Sequence, residues 1–206
     1  MFLTPGIILK AYKKGLFPMS ESYYDPYIHW VNPTERGIIN LSDFRFPKSL
    51  KKILKKKEFT IKVNKRFECV INLCAKNRYR HDTWINNQII DNYTELFHKG
   101  IAKSVECYHQ NKLVGGLYGI ILGRIFCGES MFSLRENASK IAMVYLAAYL
   151  KEGSFNIIDT QFYSEHLKQF GTRKINKNQY VNLLEKNTSD NLIFPEKLKH
   201  SIIEYF

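Results

Sequence analysis

Acidic side chains are scarce in this chain: 19 Asp and Glu stand against 31 Lys and Arg, for a net charge of +12. That imbalance favours a polyanionic partner, nucleic acid or an anionic surface. A lysine-rich composition, in a chain also heavy in Ile and Asn, is the plainer explanation that charge alone leaves open. Long apolar runs are missing too. The longest stretches, such as 141–150, are too short and too interrupted to span a bilayer. The N-terminal segment MFLTPGIILKAYKKG has no basic region ahead of its apolar part and no small-residue cleavage site, so no signal peptide is expected. Cysteine is sparse: Cys69, Cys74, Cys107 and Cys127 fit no zinc spacing, and no close His pair accompanies them. Free, mostly buried thiols in a reducing cytosol are expected, and no metal. The phosphate-cradling patterns GxxxxGKS/T and GxGxxG are absent. The run Gly115, Gly116, Gly119, Gly123 therefore reads as close backbone approach in twisted strands, and no cofactor is implied.

What is present is enough for a core. The 206 residues are 45% hydrophobic and 24% charged, with 14 Phe and 13 Tyr. That suits one sizeable domain with a small appended module. The pattern predicts a helix over 6–15, then a loop-rich region through Pro18, Pro26 and Pro33. It predicts a strand over 36–41, a helix opened by Pro47, a strand over 59–64 and a helix over 66–77. A tight Asp82-Thr83-Trp84 turn leads into a helix ending at Gly100. Strands follow over 102–109 and on either side of Gly123, with a hairpin turn at 110–112. Asn137 is placed as the N-cap of a helix running to Gly153. A strand over 155–159, a helix over 165–171, a short strand over 172–175 and a helix over 178–186 complete the order. Helices around one mixed sheet make an α+β or mixed α/β domain.

Two features point to chemistry. Lys48, Lys51, Lys52, Lys55 and Lys56 recur at helical spacing and share one face, while Leu50, Ile53 and Leu54 turn toward a core. Like charges so placed repel one another, and a polyanion would relieve that repulsion; a solvated lysine face is the plainer alternative. The second feature is the segment from Leu113 to Gln161. It puts Glu129 and Asp159 at the ends of two apolar strands, where a core needs no carboxylates and where open sheets tend to build sites. Gln161 points to the same side as Asp159 if the strand continues. A capping Asp and a structural salt bridge for Glu129 are the alternatives the residues leave open.

Eight pieces in order resemble the leucyl/phenylalanyl-tRNA–protein transferase family: LKAYKKGLFPM (9–19), WVNPTERGII (30–39), DTWIN (82–86), SVECY (104–108), LVGGLYG (113–119), FCGESMFS (126–133), NASK (137–140) and IIDTQ…HL…FG (157–171). The resemblance implies an α+β fold, a GNAT acetyltransferase-like mixed sheet flanked by helices, with a reduced N-terminal module over 1–35 and a GNAT-like catalytic domain over 36–206. It implies transfer of Leu or Phe, and sometimes Met, from aminoacyl-tRNA to the N-terminal Arg or Lys of a protein, which marks that protein for N-end rule degradation. The GNAT pyrophosphate loop is not evident, which argues against acetyl-CoA as donor. A cytoplasmic monomer with no membrane partner is expected. The sequence also departs from the family pattern. The chain starts almost directly at the AYKKG helix, Met19 stands where some members carry Trp, Thr172 follows Gly171 in place of Ala, and Lys177 stands where Arg is expected.

On that implication the residues take roles. The donor is an activated ester and the nucleophile an α-amine of pKa about 7.7–8.0. Positioning, worth roughly 7–11 kcal/mol, then matters more than a strong base, together with removal of one proton. Asp159 and Gln161 are expected as the catalytic pair. Glu129 is expected to pair with a cationic group, either on the acceptor or at the aminoacyl end of the donor. Phe126, Met131, Met143 and Ile158 are expected to form an apolar donor pocket, with Met19 at its edge. Trp84 and Tyr93 are expected to stack on the terminal adenosine, and the lysine face to grip the acceptor stem through its backbone. Two other readings fit the sequence: a non-catalytic tRNA-binding module, and a related transferase with a different acceptor choice.

Overall fold

Two apolar strands that end in carboxylates have to lie side by side before those carboxylates can share a site, and the sheet order brings them together. The structure, a computed structural model, describes residues 3–76, 78–79 and 82–206. The chain opens with α1 (Pro5–Tyr12), started by Thr4, whose hydroxyl accepts from the Ile7 amide, and by Pro5 in the first turn. It buries Ile8, Ala11 and Tyr12. Next come β1 (Phe17–Met19) and β2 (His29–Val31), which pair antiparallel as a separate two-stranded sheet. This hairpin falls in the region expected to be loop. Its short, proline-bearing strands give no alternation to read.

The remaining elements follow the expected order. They are β3 (Glu35–Asn40), α2 (Lys48–Lys56), β4 (Thr60–Val63), α3 (Phe67–Ala75), α4 (Asn87–His98), β5 (Ala102–His109), β6 (Lys112–Leu122), β7 (Ile125–Ser133), α5 (Ala138–Glu152), β8 (Ile157–Gln161), α6 (Glu165–Lys168), β9 (Arg173–Asn176) and α7 (Lys177–Asn187). The expected helix over 66–77 stops at Ala75, and position 77 lies outside the described residues. The last sheet strand before α6 runs two residues later than expected, so it includes Gln161. Asn137 holds the predicted cap position but takes a left-handed backbone, φ 64°, and makes no capping bond with its side chain.

The architecture is α+β, with a seven-stranded mixed sheet in the order β4-β5-β6-β7-β8-β3-β9. Every neighbouring pair is antiparallel except β7 and β8. A parallel pair needs a crossover, and α5 supplies it. One face of the sheet packs on α1, α3 and α4, with Ile8, Tyr12, Ile71, Ile89 and Tyr93 in that core. The other packs on α5 and α2, with Leu50, Leu54, Phe126, Ile141 and Val144. Among the described residues no helix is long and apolar enough to cross a membrane.

Candidate active site

The parallel pair is short. β7 and β8 are in register only from Ile125–Ile157 to Cys127–Asp159. Beyond that point the strands part, and side chains bridge the gap where backbone bonds stop. β7 carries a bulge at the same place: Tyr118 pairs with Ser130 and Gly119 with Gly128, which leaves Glu129 as the extra residue. A bulge re-aims a side chain, and here it sends Glu129 toward the α1 and α4 side. Gly119 makes the close packing possible. A Cβ there would lie 2.2 Å from the Cys127 carbonyl oxygen and 2.6 Å from the Phe126 ring.

Glu129 is buried and held entirely by neutral donors. The Tyr12 hydroxyl donates to its Oε1, the Tyr93 hydroxyl to Oε2 at 3.2 Å, and the Gln161 amide to Oε2 at 3.1 Å. The Tyr12 and Tyr93 hydroxyl oxygens also lie 2.8 Å apart, so the one proton of Tyr93 is shared between Glu129 and Tyr12 as acceptors. Among the described residues no cation forms an ion pair with Glu129. Burial pushes its pKa up to about 7, although the bonds from Tyr12, Gln161 and Tyr93 pull the other way. Burial first and Glu129 second raise the pKa of Tyr12, so the phenol remains the donor. The result is a buried acid at the cavity wall with neutral partners and no countercharge among the described residues.

Asp159 has the opposite surroundings. It is fully buried, and Arg36 grips it with a fork: Nε to Oδ1 at 2.9 Å and Nη2 to Oδ2 at 2.7 Å. The Tyr180 hydroxyl donates to Oδ2 at 2.6 Å and the Gln161 backbone amide to Oδ1 at 2.8 Å. These four bonds occupy the acceptor positions of the carboxylate. Arg36 is sandwiched between the Phe17 and Tyr180 rings, 4.7 and 4.4 Å from their centroids, and donates to the Gly15 carbonyl at 3.1 Å. One ion pair thus ties β1, β3, β8 and α7 together. It also fixes Gln161, a non-glycine residue at φ 60°, in a left-handed conformation that costs energy unless its surroundings hold it.

At the strand gap lies a cavity of about 380 Å³. Phe126, Met131, Met143 and Ile158 line its apolar half, and Glu129 and Gln161 form a polar wall. Met19 and Trp84 also line it, and Ser130, Thr160, Ser164 and His166 add polar contacts. The structure therefore brings together eight of the residues expected at the site: Met19, Trp84, Phe126, Glu129, Met131, Met143, Ile158 and Gln161.

The rest lie elsewhere. Tyr93 is fully buried behind Glu129, so it has no ring face to offer a base; its hydroxyl positions the carboxylate instead. Asp159 stands behind Gln161 and does not line the cavity, which leaves no direct path for a proton from substrate to its oxygens. Lys48, Lys51, Lys52, Lys55 and Lys56 are exposed on α2. That helix faces Ile141, Tyr145 and Tyr149 of α5 through Ile53 and Leu54, whereas Met143 and Leu146 of α5 face the cavity. None of the five lysines lines the cavity.

Sequence reasoning missed Tyr12, Arg36, Tyr180 and His166. Arg36 gave a signal: a lone cation leading an apolar strand, matched in kind by the lone Asp159. Tyr12 and Tyr180 looked like ordinary apolar-face residues. Among the described residues no group of His, Cys, Asp and Glu is arranged to hold a metal.

Comparison with known proteins gives consistent results. Residues 38–185 match the model of the family described as leucyl/phenylalanyl-tRNA protein transferase, and residues 1–34 match that of its N-terminal domain. A leucyl/phenylalanyl-tRNA–protein transferase of Paramagnetospirillum magneticum is 46% identical over 88% of this chain and 88% of its own. One of Maricaulis maris is 47% identical over 84% of this chain and 81% of its own. Among solved structures, a GCN5-related N-acetyltransferase-like protein of Streptococcus suis aligns over 82% of this chain and 63% of its own, at 15% identity and a TM-score of 0.37. A likeness that distant carries no argument.

Proposed function

The chain belongs to the leucyl/phenylalanyl-tRNA protein transferase family, an aminoacyltransferase family, and from that premise we propose how its cavity divides the labour of transfer. The apolar half takes the side chain of Leu, Phe or Met carried by the tRNA. The seat at Glu129 takes the cationic N-terminal Arg or Lys of the acceptor protein. The observation that carries this division is the meeting, in one cavity, of an apolar wall on the α5 side and a buried carboxylate with no cation of its own on the α1 side. Glu129 is assigned to the acceptor because the donor's apolar subsite lies across the strand gap from it.

The chemistry asks little of a base. The acceptor α-amine, in its neutral form, attacks the ester carbonyl; a C–N bond forms, and the bond to the ribose oxygen breaks. The nitrogen loses one proton and the departing ribose oxygen needs one, so the sum balances within the substrates. The protein supplies alignment. Gln161 uses its Nε2 on Glu129, which leaves Oε1 to receive an N–H of the attacking amine. Asp159 acts through Gln161, by holding its backbone, and is a positioning residue. Met143 and Met131 are pliable enough to admit both branched and aromatic side chains, while a pocket of this kind separates guests differing by a methylene by only about 1–3 kcal/mol.

The remaining parts belong to the same reading. Trp84, in the cavity wall, stacks on the terminal adenosine, and the lysine face of α2 carries the acceptor stem. The same reading divides the chain into a module over 1–35 and a catalytic domain over 36–206, with a cytoplasmic monomer as the working unit; the family matches over 1–34 and 38–185 support it. The test is transfer of labelled Phe from Phe-tRNA to peptides that begin with Arg, Lys, Ala or Asp. Transfer to the Arg and Lys peptides is expected. Equal transfer to the Ala peptide, or none to any, would overturn the assignment.

A further inference from the structure

We propose that the unpaired 3′ end of the tRNA, upstream of its terminal adenosine, runs over a basic and aromatic strip made by Arg78, Tyr79, Arg135 and Lys140. This deepens the transfer function proposed above and rests on it. A second cavity, of about 310 Å³, lies beside the first and is lined by Tyr79, Arg135 and Lys140 among others; His166 belongs to both walls. β7 runs from one to the other, with Ser130 and Met131 in the first and Ser133 in the second. A chain that leaves the first cavity past His166 meets this strip next.

The chemistry of the strip suits single-stranded nucleic acid. Tyr79 is 67% exposed. The Arg78 guanidinium lies 4.6 Å from its ring centroid and donates to the Leu134 carbonyl at 2.9 Å, which anchors the pair to the end of β7. Among the described residues Arg78, Arg135 and Lys140 form no ion pair, whereas Lys168 and Lys174 are matched by Glu165 and Glu35. The Lys140 ammonium reaches the shared wall: after burial, it is the cause that keeps the pKa of His166 low. One acid, Glu136, stands on the rim and is approached by the Asn137 side-chain amide at 3.4 Å. Cations without an ion-pair partner, beside a solvent-exposed aromatic ring, are the parts that bind single strands without reading sequence. The five lysines of α2 line neither of these two cavities. They remain available for the duplex stem.

The experiment compares three donors carrying Phe as its ester: adenosine alone, a trinucleotide ending in that adenosine, and intact tRNA. The proteins are the unaltered chain, R78A/R135A/K140A, and the single variants Tyr79→Ala and Lys140→Gln. The unaltered protein is expected to use the trinucleotide at least about tenfold better than adenosine by kcat/KM. The triple variant loses that advantage through KM while its rate with Phe-adenosine stays the same, and Tyr79→Ala loses part of it. Affinity for the trinucleotide, read by fluorescence anisotropy, falls in parallel and loses salt dependence. Equal use of adenosine and trinucleotide by the unaltered protein would overturn the strip, as would variants that keep the full advantage. If no donor is used at all, it is the transfer reading that fails; trinucleotide anisotropy still decides the strip, since binding lost in the variants supports it and binding unchanged overturns it.

Discussion

Glu129 and Asp159 are two buried carboxylates on neighbouring strands, both within reach of Gln161, yet they do opposite things. Asp159 is saturated: a guanidinium fork, a phenol and a backbone amide fill its oxygens. Glu129 is held by two phenols and an amide and lacks a countercharge. A carboxylate matched inside the protein builds structure. One left unmatched at a cavity wall is the acid proposed above to take the acceptor's cation. On the proposed reading it is the partners of each acid, not proximity to the site, that decide which one meets the substrate.

Removing one side of each arrangement should separate the two. Asp159→Asn leaves the Arg36 charge buried and uncompensated, and breaking such a pair costs about 3–5 kcal/mol. A chemical-denaturation series should show that loss, with transfer falling as Gln161 loses its anchor. Arg36→Lys should lose stability in the same direction, because an ammonium keeps the charge but cannot form the fork. Glu129→Gln is the mirror case. It should cost roughly 2–5 kcal/mol in kcat/KM for an Arg-led peptide, as for a truncated charge pair, while the melting temperature holds or rises.

The pH response sharpens the contrast. Because burial raises the pKa of Glu129 to about 7 in the folded protein, against about 4.3 for an unperturbed Glu, folding stability attributable to it declines as pH rises from the lower value to the upper. Stability curves should show this decline in the unaltered protein, and Glu129→Gln should remove it. Affinity for a cationic acceptor runs the other way, rising through pH 7 as the carboxylate ionises. The smallest effect belongs to the apolar half. Met143→Ala should change the preference between Phe and Leu donors by about 1–3 kcal/mol and leave acceptor choice intact, as competition between the two aminoacyl-tRNAs would report.

How much of this was legible in the sequence follows from the range of the interactions. The element order from β3 onward could be read because periodicity, caps and glycines are local signals. The cavity residues could be located because they fall on strand ends within one short segment. The Arg36–Asp159 pair joins residues 123 apart, and its existence depends on β3 docking against β8, which no local pattern states. The bulge that aims Glu129 is a register shift between strands, again invisible along one chain. Tyr93 misled for a related reason: on an amphipathic helix, a ring turned to the core and a ring poised at a site share the same spacing.

The central claim is that Glu129 seats the positive charge of the acceptor, and it is tested most directly with two peptides that begin with Arg and with its neutral isostere, citrulline. Transfer from Phe-tRNA to both should be measured in the unaltered protein and in Glu129→Gln. The account predicts a preference for Arg of at least about thirtyfold, from a charge pair worth roughly 2 kcal/mol or more, and its collapse toward unity in the variant. An undiminished preference for Arg in Glu129→Gln would contradict it.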